Sequence, residues 1–429
     1  MSDPDAAADG LREPDVPERG AGPGAAAAAS DVLLGRIVRE EAARIVAALT
    51  ARIGDFDAAE EAVADAVEEA LRAWRDQGVP PRPGAWLTEA ARHNALDRLR
   101  RETRYRQKLT LLAVGWSEAV PATDAADIDE RVPLLFGCCH PAIGADAQLA
   151  LTLPAVAGFT SAQIARATLA PEATVAQRIV RAKRKISGAG IALRIPDGNE
   201  RAPRLDVVLA VVAAMYARAH LQGDADAAAD RDVADDALWL ARVVADALPA
   251  EPEAWGLVAL LTFHRAREGA RAVDGELVLL ADQDRTRWDA DAIRAARTAL
   301  GRAALLRRPG RWQLHAAIAA CHADAADASS SDWLQILTLY DLLLAHDASP
   351  VVRLNRAVAL AEVEGPAAAL AEVEPLGADL AEYHLWHAVR ARLLRAVGRE
   401  DEAVASDLRA LELTANRAER ALLASRLAL

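Results

Sequence analysis

Cysteine and aromatic residues are scarce in this chain, and long apolar runs are absent. The three cysteines, Cys138, Cys139 and Cys321, are too few for a disulfide framework, and the adjacent pair is sterically poor for bridging. No apolar stretch approaches the roughly 20 residues that cross a bilayer, and the N-terminus lacks the basic start and apolar core of a signal peptide. We therefore expect a protein of the reducing cytoplasm with no membrane partner.

The same scarcity bears on the fold class. Aromatic residues make up only 4% of the chain, and glycine and proline are modest in number, which argues against an all-β chain and for helices. With 429 residues, 52% of them hydrophobic, the chain can bury a sizeable core and is expected to form about two to four domains. We predict an all-α fold.

Negative charge dominates, but its distribution is uneven. The formal net charge is −13, which by itself disfavours DNA binding, because affinity for phosphates comes largely from lysine and arginine. Residues 1–195 carry 24 basic and 27 acidic side chains, whereas residues 196–429 carry 26 and 36. The lysines, Lys108, Lys183 and Lys185, all stand in two short basic runs. Those runs are where nucleic acid is expected to bind.

Changes in composition and periodicity divide the chain into segments. Residues 1–30 are rich in Ala, Gly, Pro and Asp and are interpreted as a disordered tail. Residues 31–108 have a helical pattern, residues 109–145 are interpreted as a linker containing a short helix, and residues 146–195 form a compact helical segment. Residues 196–429 are almost continuous amphipathic helix. There the spacing of small residues predicts a helical-hairpin array of the tetratricopeptide type.

An acidic helix precedes the first basic run. Seven acids and no base lie between Asp55 and Ala70, so the run has no basic partner of its own. An apolar stripe recurs beside them at helical spacing, and it consists of Phe56, Ala59, Val63, Ala66, Ala70 and Trp74. The acids form either a solvated helix face or a docking surface for a basic or polar partner helix.

The first basic run follows a proline-rich loop. Seven basic residues lie between Arg92 and Lys108, against Asp97 and Glu102. A helix here would turn Trp86, Ala90, Ala95, Leu96 and Leu99 toward a core. It would leave outside Arg92, Asn94, Arg98 and Arg101. Such a face suits phosphates and, beside a loop, unstacked bases.

The second basic run has the pattern of a helix-turn-helix. Ser161 is a candidate cap for a first helix, Ala170-Pro171 breaks it, and a second helix is predicted from about Glu172 to Ile186. The predicted buried face consists of Val175, Ile179, Ala182 and Ile186. The opposite face presents Thr174, Gln177, Arg178, Arg181, Arg184 and Lys185. A recognition helix needs this arrangement of apolar anchors inward and hydrogen-bonding or cationic groups outward.

Both runs carry a family resemblance. The sequence from Gly54 to Glu61, with Trp86-Leu87 and Arg92 to Arg101, resembles the second conserved region of extracytoplasmic-function RNA polymerase sigma factors. The strings from Gly158 to Ala165 and from Pro171 to Ala182 resemble the fourth.

The resemblance implies a sigma factor whose partners are core RNA polymerase and promoter DNA. By position it implies core-polymerase binding by Glu60, Glu61 and Asp65. It implies minus-ten binding by Arg92, Asn94, Asp97, Arg98 and Arg101. For the minus-thirty-five element it implies the six residues of the outward face, from Thr174 to Lys185.

The carboxy-terminal segment also carries a resemblance. Strings at residues 282–289, 313–320 and 349–358 resemble the conserved extension of one sigma-factor group, in which the extension takes the place of a separate membrane-bound anti-sigma protein. The alternating charges around Trp288 form either an internal salt-bridge knot or a groove for a regulatory protein or ligand. The extension either masks the promoter-binding faces or contacts the polymerase, and its small-residue spacing favours the second.

Other classes of function have less support. Cys138-Cys139-His140-Pro141 has no second pair of Cys or His ligands nearby, so we expect a buried turn, no metal and no cofactor. A hydrolase using Cys139 lacks a partnered base, and the scattered histidines are expected to be packed or exposed. We expect no enzyme. The alternative is a helical-repeat adaptor with degenerate promoter-binding segments, which the survival of both basic faces disfavours.

Overall fold

A computed structural model describes residues 23–109, 129, 131–157, 161, 164–165, 170–189, 191, 193–221, 227–273 and 276–427. These residues are helical apart from short turns and one two-stranded ribbon, which confirms the predicted all-α fold. No helix in these ranges is long and apolar enough to span a bilayer. The chain divides into two compact units, one of residues 1–49 and 57–114 and the other of residues 50–56 and 115–429.

The first unit is built from helices α1 (Pro23–Ile53), α2 (Phe56–Gln77) and α3 (Pro83–Leu109). Helix α1 begins inside the predicted tail of residues 1–30, so the folded chain starts earlier than residue 31. The remainder of that tail, residues 1–22, lies outside the described residues.

The cores of α2 and α3 can be compared with the predicted apolar faces. All six residues of the α2 stripe, from Phe56 to Trp74, are buried, as predicted. On α3 the buried residues are Leu87, Ala91 and Ala95, and of these only Ala95 was predicted. Trp86 is half-buried and meets the edge of Trp74, with ring centres 5.7 Å apart. The buried stripe of α3 is therefore displaced by one residue from the prediction, with Leu87 and Ala91 in the places expected for Trp86 and Ala90.

The second unit begins with α4 (Arg131–Cys138), α5 (Ala145–Ala157) and α6 (Glu172–Gly188). Leu134, Leu135 and Phe136 of α4 are at most 1% exposed. The predicted linker of residues 109–145 thus contains a short helix, as expected, but that helix belongs to a folded core. Residues 110–128 and 130 of the linker lie outside the described residues.

The carboxy-terminal segment is a succession of helices in which sequence neighbours pack on one another. In chain order they are α7 (Arg201–Leu221), α8 (Ala227–Ala247), α9 (Pro252–Ala266), α10 (Ala290–Leu305), α11 (Arg311–Asp324), α12 (Trp333–Leu344), α13 (Pro350–Val363), α14 (Pro366–Val373), α15 (Gly377–Leu380), α16 (His384–Ala396), α17 (Glu400–Leu413) and α18 (Arg417–Arg426). Between α9 and α10 stands an antiparallel ribbon of β1 (Ala272–Val273) and β2 (Glu276–Leu277).

Small residues allow the close approach of these helices. A side chain at Gly256 of α9 would place its Cβ 2.7 Å from the backbone nitrogen of Gln313 in α11, so only glycine fits this crossing. Ala403 and Ala410 of α17 are fully buried, as the small-residue spacing predicts. The last helix, α18, contacts strand β2, so the end of the array returns to its middle.

The array also packs on the helices before it. Helix α7 contacts α4 and α5, Arg204 donates a hydrogen bond to the carbonyl of Phe136, and the guanidinium of Arg131 lies 4.1 Å from the ring centre of Trp239 in α8. The Pro196-Asp197-Gly198-Asn199 segment therefore separates two parts of one packed body rather than two independently packed domains.

Candidate nucleic-acid interface

The acidic face of α2 does have a basic partner. Glu61 is exposed, and Glu60 and Asp65 are half-buried. Arg98 of α3 donates one hydrogen bond to Glu61 and another from Nη2 to Oδ2 of Asp65, at 2.9 Å. The run of acids contains no base, but in the folded unit Glu61 and Asp65 pair with Arg98 of the next helix, and Glu68 pairs with Arg72 of α2 itself.

This contact joins two sets of predicted site residues. Glu61 and Asp65 were predicted to bind a protein, and Arg98 was predicted to bind DNA. The Arg98 side chain is 35% exposed, against 60% for Glu61 and 47% for Asp65. Ion pairs exposed to this extent contribute only about 0–1 kcal/mol each, so a phosphate or a charged partner surface could displace either side.

The remaining predicted minus-ten residues lie along α3. Arg92 is exposed and pairs with Glu89, Nη2 to Oε1, at 2.6 Å; this hydrogen bond raises the pKa of Arg92 and lowers that of Glu89. Exposed Asp97 accepts from Arg100 at 3.5 Å. The Nδ2 atom of Asn94 is buried and has no hydrogen-bond partner within the described residues. Arg101 lies in α3, and its side chain is outside the described part.

Helix α6 has the two faces that the sequence predicts. Val175, Ala182 and Ile186 are buried and Ile179 is half-buried. On the opposite side the exposed residues are Gln177, Arg181, Arg184 and Lys185. The other two predicted contact residues, Thr174 and Arg178, are half-buried.

One residue of this face is tied to the helix before it. Arg178 Nη2 lies 3.0 Å from Oδ2 of Asp146, in the first turn of α5. The pair links α6 to α5 at an exposed site, where it contributes little to stability, and Arg181, Arg184 and Lys185 remain exposed. Of the helix between α5 and α6, Ser161, Ile164 and Ala165 are described and helical, and Ile164 is fully buried. The predicted capping role of Ser161 stays a prediction, because residues 158–160, 162 and 163 lie outside the described residues.

Cys139 has the environment of a structural residue. Its thiol is buried, with Sγ 3.6 Å from Oγ1 of Thr152, and burial raises its pKa to about 12. A thiol of this kind does not form the thiolate that nucleophilic catalysis requires at neutral pH. His140 accepts a hydrogen bond from the backbone of Ala142 within the following turn. In the described ranges, no group of three or more Cys, His, Asp or Glu residues could hold a metal ion.

The charged segment around Trp288 does not form the salt-bridge knot that the sequence suggested. No ion pair in the described part of the chain involves residues 282, 284, 285, 287 or 289. Asp284 instead accepts from the backbone of Thr286, and Asp289 caps α10 by accepting from the nitrogens of Asp291 and Ala292. Asp284 and Asp289 act as helix caps, and Arg285 packs against Trp288.

Comparison with known proteins agrees with this geometry. Residues 37–105, which include α2 and most of α3, match Sigma-70 region 2. Residues 204–304 match a family of unknown function, DUF6596. The chain is 40% identical over 374 residues to an uncharacterized protein of Rhizobium meliloti (strain 1021), an alignment that covers 86% of this chain and 88% of that protein. No solved structure matches the chain.

Proposed function

Because the chain belongs to one family with the Rhizobium meliloti protein, and to the sigma-70 factors through its region 2 domain, we propose that it is an extracytoplasmic-function sigma factor. It binds core RNA polymerase, directs it to promoters, and carries a tetratricopeptide-like regulatory extension in residues 196–429. The main support for this proposal is that the residues matching region 2 include both the acidic face of α2 and the basic face of α3.

In this proposal α2 docks on the core enzyme through Glu60, Glu61 and Asp65. Helix α3 holds the minus-ten element with the five residues from Arg92 to Arg101 that the sequence singles out. Arg98 connects the two events. When the core enzyme engages Glu61 and Asp65, the ion pairs of Arg98 are broken and its guanidinium becomes available to the DNA strand.

The second promoter contact is assigned to α6. Its outward face carries Gln177, Arg181, Arg184 and Lys185, all exposed, with Thr174 and Arg178 at its edge. Arginine and lysine there can donate to guanine edges in the major groove or to phosphates, and the buried apolar face anchors the helix. This face is assigned to the minus-thirty-five element.

The extension is proposed to act through a protein or ligand partner rather than by covering DNA-binding surfaces. Its first helix packs on α4 and α5, while the basic side of α6 remains exposed within the same body. Masking of α6 by the acidic extension would require those side chains to be buried. The open face therefore argues against masking of α6 by the extension.

The test is association with core polymerase. We expect the full chain to co-elute with the core enzyme, and the triple variant Glu60→Lys, Glu61→Lys, Asp65→Lys to elute separately, because charge reversal removes the docking face. The matched control reverses Glu68, Glu69 and Asp76, three exposed acids of the same helix, and should co-elute as the unmodified chain does.

Co-elution of the triple variant at the level of the control would reduce the acidic face to a solvated surface. It would then leave the helical-repeat adaptor as the better description of this chain. Retained binding of the triple variant to minus-thirty-five duplex shows that the rest of the chain is folded.

A further inference from the structure

Two arginines of the extension, Arg267 and Arg285, lie against Trp288, and the charge of a third, Arg271, acts on Arg267. Arg267 and Arg271 stand at the two ends of the 3-10 turn Glu268–Ala270, directly after α9. The guanidinium carbon of Arg267 lies 5.2 Å from the ring centre of Trp288, and that of Arg285 lies 4.4 Å from it. Trp288 itself is only 7% exposed. The turn after α9, the segment before α10 and the end of α11 meet at this cluster.

Within the described residues none of the three cations forms an ion pair with a carboxylate, and Asp327 acts on Arg285 only through the longer-range effect of its charge. Arg267 donates from Nε to the side-chain oxygen of Gln283, at 3.3 Å. Arg285 donates to the backbone carbonyls of His322 and Ala325. The side chain of Arg271 makes no hydrogen bond or ion pair in the part of the chain that the structure describes. The hydrogen-bond acceptors at the cluster, among the described residues, are neutral, whereas buried cations are normally paired with an anion.

The cluster also contains donors without acceptors. Nε and Nη2 of Arg285 and Nε1 of Trp288 are buried, and none of them has a hydrogen-bond partner among the described residues. More than nine in ten buried polar groups of native proteins are hydrogen-bonded. Guanidinium and indole nitrogens can only donate. The missing partner must therefore be an acceptor, and the adjacent charges favour an anionic one.

The electrostatics of the cluster point the same way. Burial, reinforced by the charges of Arg271 and Arg285, lowers the pKa of Arg267 to about 10. Burial and the charges of Arg267 and Arg285 lower the pKa of His322 to about 4, so this histidine is neutral at neutral pH. The three guanidiniums repel one another, and a bound anion would relieve that repulsion. This positive site stands in a segment that is acidic overall.

We propose that Arg267, Arg271 and Arg285, together with the indole nitrogen of Trp288, bind a phosphorylated small molecule. Guanidinium groups match phosphate oxygens with two parallel hydrogen bonds, and three of them suit a group with more than one negative charge. Arg271 is half-buried, which gives the ligand a route from solvent. The extension is thereby a sensor of a phosphorylated metabolite, an assignment that stands on the cluster alone and not on promoter binding.

The test uses the full chain and inorganic pyrophosphate, titrated calorimetrically at constant ionic strength, with succinate as a carboxylate comparison. We expect saturable binding of pyrophosphate, a rise in Tm, and weaker binding of succinate. Arg271→Gln and Arg285→Gln should each weaken pyrophosphate binding at least about tenfold, the loss of one charge-assisted contact. Arg271→Gln removes no hydrogen bond or ion pair within the described residues, so this variant is expected to fold.

The matched control is Arg302→Gln. The guanidinium of Arg302 lies 4.8 Å from the ring centre of Trp255, so it has the same stacking on tryptophan outside the cluster, and its variant should bind pyrophosphate as the unmodified chain does. Three results would overturn the proposal: a response to pyrophosphate no greater than to chloride, tighter binding of succinate, or equal losses in Arg271→Gln and Arg302→Gln.

Discussion

Arg98 is the residue at which two predicted functions meet. It belongs by position to the proposed minus-ten helix, yet its guanidinium is held by Glu61 and Asp65 of the proposed core-binding face. The sequence predicts both faces from spacing and charge. It does not predict their contact, because Arg98 and its partners are more than thirty residues apart and only the packing of α3 on α2 brings them together.

The contact leads to a prediction for the free chain. Glu61→Gln combined with Asp65→Asn should raise the affinity of the isolated protein for single-stranded minus-ten DNA several-fold, because these carboxylates compete with phosphates for Arg98. Fluorescence anisotropy with a labelled oligonucleotide measures it. Stability should fall by no more than about 1 kcal/mol per exposed pair.

Glu68→Gln is the control for that double variant. Glu68 is an exposed acid of the same helix that pairs with Arg72, one turn away, so its neutralisation changes the net charge without releasing Arg98. If both variants improve binding equally per charge removed, the effect is general electrostatics and the role given to Arg98 is wrong.

At the scale of elements, the buried face of a helix could be predicted where the sequence contains a single apolar stripe. Helix α2 has one stripe, and all of it is buried. Helix α3 has adjacent apolar pairs, Trp86-Leu87 and Ala90-Ala91, so two overlapping stripes fit the helical period. The partner helix selects Leu87 and Ala91, and single-chain periodicity contains no information about that partner.

Turns were less predictable than helices. The alternating charges at residues 282–289 look like an ion-pair network in the sequence. In the structure Asp284 and Asp289 cap helical turns, and their neighbouring arginine, Arg285, stacks on Trp288. Capping by Asp follows from local geometry, but the choice between capping and ion pairing depends on which groups the fold brings near.

Helix α6 gives a prediction at the same scale. Arg181→Ala should weaken binding to minus-thirty-five duplex by about 1–3 kcal/mol if the exposed guanidinium contacts a base edge. Arg178→Ala should also weaken binding, and in addition it removes the pair with Asp146. Gel-shift titrations with cognate and scrambled duplexes measure the difference, with Arg194→Ala, an exposed arginine beyond α6, as control.

Equal losses on cognate and scrambled DNA would make Arg178 and Arg181 phosphate anchors instead of base readers. Unchanged binding in both variants would remove the assignment of α6 as a recognition helix.

At the scale of the whole molecule, the extension and helices α4 and α5 form one packed body. Proline and glycine at residues 196–198 look like a domain boundary in the sequence. The chain nevertheless returns α7 onto α4 and α5, and Arg204 donates to the carbonyl of Phe136. These contacts join segments far apart in sequence, and local composition contains no information about them. Composition alone therefore suggests a domain boundary at residues 196–198.

This arrangement predicts the effect of deleting residues 200–429. Transcription should fall, because the extension supplies contacts and also covers α4 and α5, while affinity for promoter DNA should not rise, because the basic face of α6 is already exposed. Duplex binding and transcription are measured in parallel. A truncated chain with higher affinity, and with a gain that added salt diminishes, would instead show electrostatic masking.

The central claim is that this chain gives core RNA polymerase its promoter specificity, and transcription in a purified system tests it most directly. Core enzyme with and without the full chain is incubated with fragmented genomic DNA, and the 5′ ends of the transcripts are sequenced. The account predicts start sites that appear only with the chain, are preceded by shared minus-ten and minus-thirty-five elements, and disappear with Glu60→Lys, Glu61→Lys, Asp65→Lys. The same start sites with and without the chain would contradict it.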